Sequence, residues 1–429
     1  MTTDNWQQFK QLFQAALELP LEERSAYLDR VCTEPSARAE VEALLLCYGD
    51  QPGKVASRNA GTNADAGSSS DPLIETFIDH YQIIQKLGEF GPAIRYLALR
   101  LDDPGLKQVV LEVVGTQTPA NDLLRSFQRE CRVLRNLRHP NLASFLDSGA
   151  TRDGLPYLVT EYIEGVPVEQ YCDSNKLSTR DRTKLFLDIC DALQYAHQHF
   201  IPHACINSNA VLVTKEGIPK LLNLGIGNLL TEEARVRNRI TESLQWKDWE
   251  YLAPEQMRGE PITTTGDVYA LGVLLYRLLT GHSPYRMTDG TRDELVPAIF
   301  EAVRPSKVIF QSADHTDADG KKITVNPALL SGCRNENLRA TSRSLKGDFD
   351  RIVLRAIQKN SLERYASVTQ LAEDIQCCLN LRPIPSRKGA FIYRCGKFIR
   401  RHMPFTIAAC LVLAVLATYL IMFTSALRR

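Results

Sequence analysis

The chain has 429 residues, with 51 Lys plus Arg against 50 Asp plus Glu, and 44% of its positions are hydrophobic. This composition excludes a wholly disordered, collagen-like or low-complexity chain and a generally basic nucleic-acid binder, and it leaves apolar material for a sizeable core. Eleven cysteines without a C-x-x-C pair exclude a disulfide scaffold and a zinc ribbon, and indicate reduced thiols in a cytosolic body.

In chain order, residues 1–48 read as a helical unit. Trp6, Phe9, Phe13 and Ala16 fall at helical spacing, and Pro20 opens a second helix start. No apolar leader begins the chain. Residues 49–75 are rich in Gly, Ser, Asn and Asp and read as a flexible linker. From Tyr81 the pattern becomes short strand-like runs, and from Leu177 long helical ones. Ala313–Gly320 resembles part of a calcium loop, but it lacks the ligand spacing and the closing Glu, so it reads as a solvated loop. Pro404 to Phe423 holds 20 residues without a charge, enough for one transmembrane helix of about 30 Å. Arg387, Lys388, Arg394, Lys397, Arg400 and Arg401 precede it with no acid between Ile384 and Met403. By the positive-inside rule the large N-terminal region is expected in the cytoplasm, on a single-pass inner-membrane protein. The basic stretch is expected to attract anionic lipid headgroups. The six-residue tail 424–429 is too short for an external sensor.

Tyr81–Leu99 resembles the first two strands of a bacterial serine/threonine protein kinase, and later blocks follow in family order. Arg129-Glu130 with the LRHPN run at 137–141, the hinge-like Val159–Gly165 with Thr160 as gatekeeper, and His203 at the start of the catalytic loop all match. So do Asn223-Leu-Gly225 at the metal loop, Ala253-Pro-Glu255, Gly266–Gly272 (GDVYALG) and Leu362–Tyr365 (LERY). The resemblance implies an α+β, bilobal kinase-like fold over 76–382, followed by a basic juxtamembrane segment at 383–403. It also makes the whole chain similar to membrane-anchored bacterial kinases.

Phosphoryl transfer is positioning plus charge neutralisation, so each family position can be checked for its group. Of the glycine-rich loop only Gly88 is retained. Phe90, Ala93 and Arg95 fill the other fixed places, and Gly91 is an extra glycine followed by Pro92. Glu112 stands at the phosphate-pairing lysine, reversing its charge, and Val110 replaces the small residue over the adenine ring. In the catalytic loop Cys205 stands at the base aspartate, Asn207 at the lysine and Ala210 at the metal-binding asparagine. Asn223 replaces the metal-loop aspartate. A thiol is no carboxylate base and a methyl group is no oxygen ligand. By contrast Glu255 and Arg364 remain as a pairable couple, and Asp267 and His203 remain to brace the catalytic loop.

The resemblance therefore implies a pseudokinase, with no intact catalytic set and neither cofactor nor metal expected. It would be a membrane-tethered scaffold or allosteric regulator whose partner is a signalling protein, an active kinase or a second copy, and not nucleic acid. The alternative is an ATP- and Mg-dependent serine/threonine kinase with an unorthodox site. Glu130, whose usual partner is the missing lysine, would face Glu112, and Arg95 is expected to act as counter-ion to one or both. The competing arrangement swings the Glu130 helix outward and leaves Arg95 in solvent. The string His197, His199, His203, Cys205 is not expected to bind metal, because residues two apart on a helix face different ways. Trp246 and Trp249 are expected to pack on the C-lobe.

Overall fold

The computed structural model describes residues 27–31, 38, 71, 73–90, 93–103, 105–114, 127, 131–222, 224, 250–261, 263–285, 302–316, 322–334, 336–385, 387, 391–403, 407–408 and 411–419. Of the N-terminal unit this leaves the helical stretch at 27–31, where Leu28 is buried, and Arg38, which pairs with Asp29 at 3.0 Å.

Strands β1 (Phe77–Ile78), β2 (Tyr81–Phe90), β3 (Ala93–Arg100), β4 (Gln108–Val114), β5 (Phe145–Ala150) and β6 (Pro156–Glu161) form one antiparallel sheet. Its order is β1-β2-β3-β4-β6-β5. The β-branched run Val109-Val-Leu-Glu-Val-Val114 suits β4 to its central place. Period-two alternation sorts the side chains into two faces. One face carries Tyr81, Ile83, Tyr96, Ala98, Val109, Leu111, Val113, Tyr157 and Val159 in one cluster. The other carries Ala93, Val114, Phe145 and Leu158, packed with Phe127, Cys131 and Leu134.

The sheet's packing begins earlier than the linker reading expects. Leu73 packs against the first cluster, and the Tyr96 hydroxyl donates to Asp71 Oδ2 at 3.0 Å. Residues 71 and 73–75 thus belong to the sheet lobe, because an apolar side chain and a carboxylate there find buried partners.

The second lobe is helical. Strands β7 (Gly165–Pro167), β8 (Val211–Thr214) and β9 (Pro219–Leu221) form a small sheet beside it. Its helices are α1 (Val168–Ser174), α2 (Thr179–Gln198), α3 (Pro254–Met257), α4 (Thr264–Thr280) and α5 (Pro305–Val308). They continue as α6 (Pro327–Gly332), α7 (Leu338–Leu345), α8 (Asp348–Ala356), α9 (Val368–Leu379) and α10 (Phe391–Arg401). Helix α4 is buried on all sides from Gly266 to Thr280, as expected of an apolar helix at the centre of a lobe. It packs on α8 so closely that a Cβ at Gly272 would sit 2.7 Å from Ala356 Cβ. Glycine there permits the contact.

The loop expected at 313–320 is corrected over its first four residues; 317–320 lie outside the described residues. Ala313–Thr316 is strand β10, paired antiparallel with β11 (Lys322–Val325). The β-branched Ile323, Thr324 and Val325 provide the pairing strand, which sequence spacing around the acidic residues did not reveal.

The basic segment does not stand apart from the lobe. Ile384 is core, and Tyr393 packs against it. Lys397 of α10 meets Asp348 at 2.6 Å, and the Tyr393 hydroxyl donates to the same carboxylate at 2.9 Å. Among the described residues no helix is long and apolar enough to cross a membrane. Of the apolar span expected at 404–423, residues 407–408 and 411–419 are described, and they are helical and exposed.

Candidate functional site

The cleft-facing side of the sheet is fixed by register. Arg95 of β3 lies directly opposite Glu112 of β4, and Glu112 lies opposite Leu158 of β6. The neighbouring row runs Leu97, Val110, Thr160 and Phe145. Directly opposed residues of antiparallel strands share a face, with Cβ atoms about 5 Å apart. Arg95 and Glu112 are therefore neighbours on one face, beside the gatekeeper row of Val110 and Thr160.

Glu112 is only 2% exposed. Burial pushes its carboxyl up to about 7, and the positive charge of Arg95 pulls in the opposite direction. The register and the charge effect put Arg95 within electrostatic reach of Glu112, one of its two expected partners. Glu130, the other expected partner, lies outside the described residues, as do Gly91, Pro92, Asn223, Trp246 and Trp249. Gly88 occupies a register shift in β2 at φ 149°, a region that side chains avoid.

The catalytic-loop segment is held from below by α4. Asp267 Oδ2 accepts the His203 amide at 2.7 Å, and Asp267 Oδ1 accepts the Ala204 amide at 2.8 Å. His197 Nε2 lies 2.7 Å from the same carboxylate. The His203 ring spans the loop, with Nε2 2.7 Å from the Leu222 carbonyl and Nδ1 accepting the Cys205 amide. Burial lowers the His203 pKa, so the neutral ring with its proton on Nε2 satisfies both bonds. Ala204 adopts φ 73° without being glycine, and its carbonyl accepts Gln256 Nε2 at 2.9 Å. Asp267 thus stabilises a strained turn through its own amides.

The three chemical positions in this loop point elsewhere. Asn207 is buried, and its Oδ1 accepts the Ala210 amide at 2.8 Å, capping the turn Ser208–Ala210. Cys205 is half-buried, packed against the same cluster as Leu158. Ala210 is buried and offers no side-chain oxygen. The described members of the expected set, Glu112, Cys205, Asn207 and Ala210, therefore offer no cation for the phosphates and no carboxylate base in the catalytic loop, and Ala210 supplies no metal ligand; its other members, Glu130 and Asn223, lie outside the described residues. These residues do not fit a magnesium–nucleotide complex. Among the described residues no cluster of three His, Cys, Asp or Glu could hold a metal ion.

The frame below is fully paired. Arg364 meets Glu255 in a two-pronged bond of 2.5 and 2.7 Å, with no side-chain exposure at Arg364. It also donates to the carbonyls of Thr265, Gln358 and Lys359. One network escaped sequence reasoning. Arg277 of α4 grips both oxygens of Glu169 at 2.7 and 2.9 Å, and reaches Glu250 at 2.7 Å. Ser208 bonds Glu169 and the Tyr251 hydroxyl, which ties the catalytic-loop turn to that network. Its one local signal is a lone arginine inside the apolar run of α4.

Residues 81–369 match the protein kinase domain family. A probable serine/threonine-protein kinase PknB of Lactococcus lactis is 28% identical over 67% of this chain and 43% of its own length. Serine/threonine-protein kinase PrkC of Bacillus subtilis is 33% identical over 48% of this chain and 31% of its own. Serine/threonine-protein kinase PknB of Mycolicibacterium smegmatis is 30% identical over 69% and 42%. The chain spans less than half the length of these curated relatives. Among solved structures, a crystal structure of Rad53 1-466 in complex with AMP-PNP aligns at TM-score 0.47 and 17% identity, covering 69% of this chain and 64% of that one.

Proposed function

We propose, from the premise that this chain belongs to the protein kinase family, that it is a catalytically impaired member working by binding rather than by phosphoryl transfer. The observation that carries this reading is the Arg95–Glu112 register. A buried carboxylate stands at the lysine position of the family, with its neighbouring cation drawn from the loop that would cover the phosphates. Catalysis of this reaction depends on cations preorganised around the transferring phosphoryl group, whereas Arg95, the cation of this row, stands opposite the Glu112 carboxylate. The retained frame supports a folded interaction surface instead.

In this reading the chain is a membrane-tethered scaffold or allosteric regulator, anchored through 404–423 with its large N-terminal region in the cytoplasm. Its partner is a signalling protein, an active kinase or a second copy of itself, and the basic segment meets anionic lipid. The relatives' names favour a second reading, an ATP-dependent serine/threonine kinase with relocated groups that would use ATP and Mg.

Thermal melting of the full chain with ATP, with and without Mg²⁺ or Mn²⁺, separates the two. A ligand at 100 times its dissociation constant adds about 2.7 kcal/mol of stability. No metal-dependent shift and no radiolabel transfer are expected. A shift accompanied by transfer that is lost in Glu130→Ala or Asn223→Ala would overturn the proposal. Glu112→Lys alone is expected to restore no transfer, since a base and metal ligands are still missing.

A further inference from the structure

A cavity of about 510 Å³ opens at the base of the helical lobe, far along the chain from the cleft residues. Its walls come from the first turn of α2, the α7–α8 corner, the end of α9 and the inner side of α10. Five cations line it: Arg180, Arg343, Lys346, Arg387 and Lys397. Two acids line it as well, and both are engaged. Glu336 accepts the Thr179 hydroxyl at 2.8 Å and the Thr341 hydroxyl at 3.3 Å. Asp348 holds Lys397 at 2.6 Å and Arg387 at 3.6 Å. Arg180, Arg343 and Lys346 form no ion pair among the described residues. Arg180 and Arg343 each give one bond to a backbone carbonyl, Leu379 and Arg339 respectively. Phe349, Cys378, Leu379 and Leu381 give the lining an apolar part, beside the hydroxyl-bearing Thr179, Ser344 and Tyr393.

Three cations outside any ion pair among the described residues outnumber the one lining carboxylate not bound to a cation, Glu336, and with an apolar floor beside them they call for a ligand that is anionic at one end and apolar at the other. We propose that this cavity binds the headgroup of an anionic glycerophospholipid, with its phosphate between Arg180, Arg343 and Lys346 and its glycerol and first acyl carbons against Phe349 and Leu379. The choice of a lipid rests on the membrane reading given above, because α10 forms one wall and leads toward the apolar segment. Free phosphate shares the anionic chemistry but has nothing to place on the apolar floor. Bound lipid would bridge α10 to α7, since Lys397 and Arg387 share the cavity with Arg343 and Lys346.

The test is native mass spectrometry of the full chain released from nonionic micelles doped with phosphatidylglycerol or phosphatidylcholine, with inorganic phosphate as a third arm. One retained phosphatidylglycerol adduct is expected, reduced at least tenfold in Arg343→Glu/Lys346→Glu. It is expected to persist in Arg394→Glu/Arg401→Glu, which removes exposed cations of α10 that do not line the cavity. Arg343→Ala/Lys346→Ala, with an unchanged melting temperature, guards against a folding artefact. An adduct indifferent to the cavity variants, or equally abundant with phosphatidylcholine, would overturn the proposal. So would equal retention of inorganic phosphate, which would assign the site to the free anion. Because the adduct is read in micelles, a full chain that fails to sediment with cell membranes would sink the membrane reading and leave this result standing.

Discussion

The cleft face of the sheet and the frame beneath the catalytic loop treat charge in opposite ways. In the frame, every buried charge named above has a close partner: Arg364 with Glu255, Arg277 with Glu169 and Glu250, Asp267 with two amides and His197. In the cleft, Glu112 is buried strongly enough to raise its proton affinity, and among the described residues Arg95 opposes that effect. The difference teaches that the two regions answer to different demands. Frame charges hold backbone segments against one another and are destabilising to lose. A cleft charge in this family serves a ligand, and Glu112 has no such service to perform in the reading proposed here.

Four perturbations test that contrast. Arg364→Ala should be the most damaging, because it strands the Glu255 carboxylate in the core. A loss of about 3–5 kcal/mol is expected in denaturant unfolding of the full chain, and a loss below 1 kcal/mol would break the contrast. Glu112→Gln should act in the other direction. The folded pKa of Glu112, about 7, lies above its ordinary value of 4.5, so the folded chain holds a proton that the unfolded chain has released. Stability therefore falls as pH rises from 4.5 through 7, and the penalty is complete above 7 and absent below 4.5. The Gln variant should thus be more stable than the parent at pH 8, by up to about 3 kcal/mol, with the gap closing toward pH 4.5. Equal stability at both pH values would show that Arg95 already neutralises the site.

Asp267→Asn keeps one acceptor where two amides need them. A cost of about 1–3 kcal/mol is expected, with faster hydrogen exchange at the His203 and Ala204 amides. Unchanged exchange there would show that the loop is held by other means. The smallest effect is expected of Ala204→Gly. Relief of the left-handed conformation gives about 1–2 kcal/mol, and glycine's added freedom in the unfolded chain takes back about 0.5–1. A net gain of up to about 1.5 kcal/mol in melting experiments would sharpen the strain argument, and a loss would oppose it.

Much of this was readable from the residues alone. The frame is written in contiguous blocks, so Ala253-Pro-Glu255, the GDVYALG run and the LERY run announce themselves without knowledge of the fold. The cleft row follows from strand alternation once β3 and β4 are recognised, which makes Arg95 and Glu112 natural neighbours. What stayed hidden depends on pairs with no local period. Arg277 and Glu169 are separated by 108 positions and meet only because α1 and α4 share the lobe. Asp348 and Lys397 likewise sit on separate helices, so the charge pattern that marks the basic segment at 383–403 carries no sign of its packing on the lobe. The β10–β11 hairpin was masked by its acidic residues, whose side-chain chemistry drew attention away from the β-branched strand opposite.

That packing of α10 has a mechanical consequence. As a free coil, the 21 residues from 383 to 403 would let the lobe wander over about 25 Å from whatever follows them. With Asp348 clasping Lys397 and Tyr393, most of that slack is gone, and the segment behaves as a lever rather than a rope. A pull or twist applied beyond Met403 would then reach α8, and through its contact at Gly272 the central helix α4 that carries Asp267.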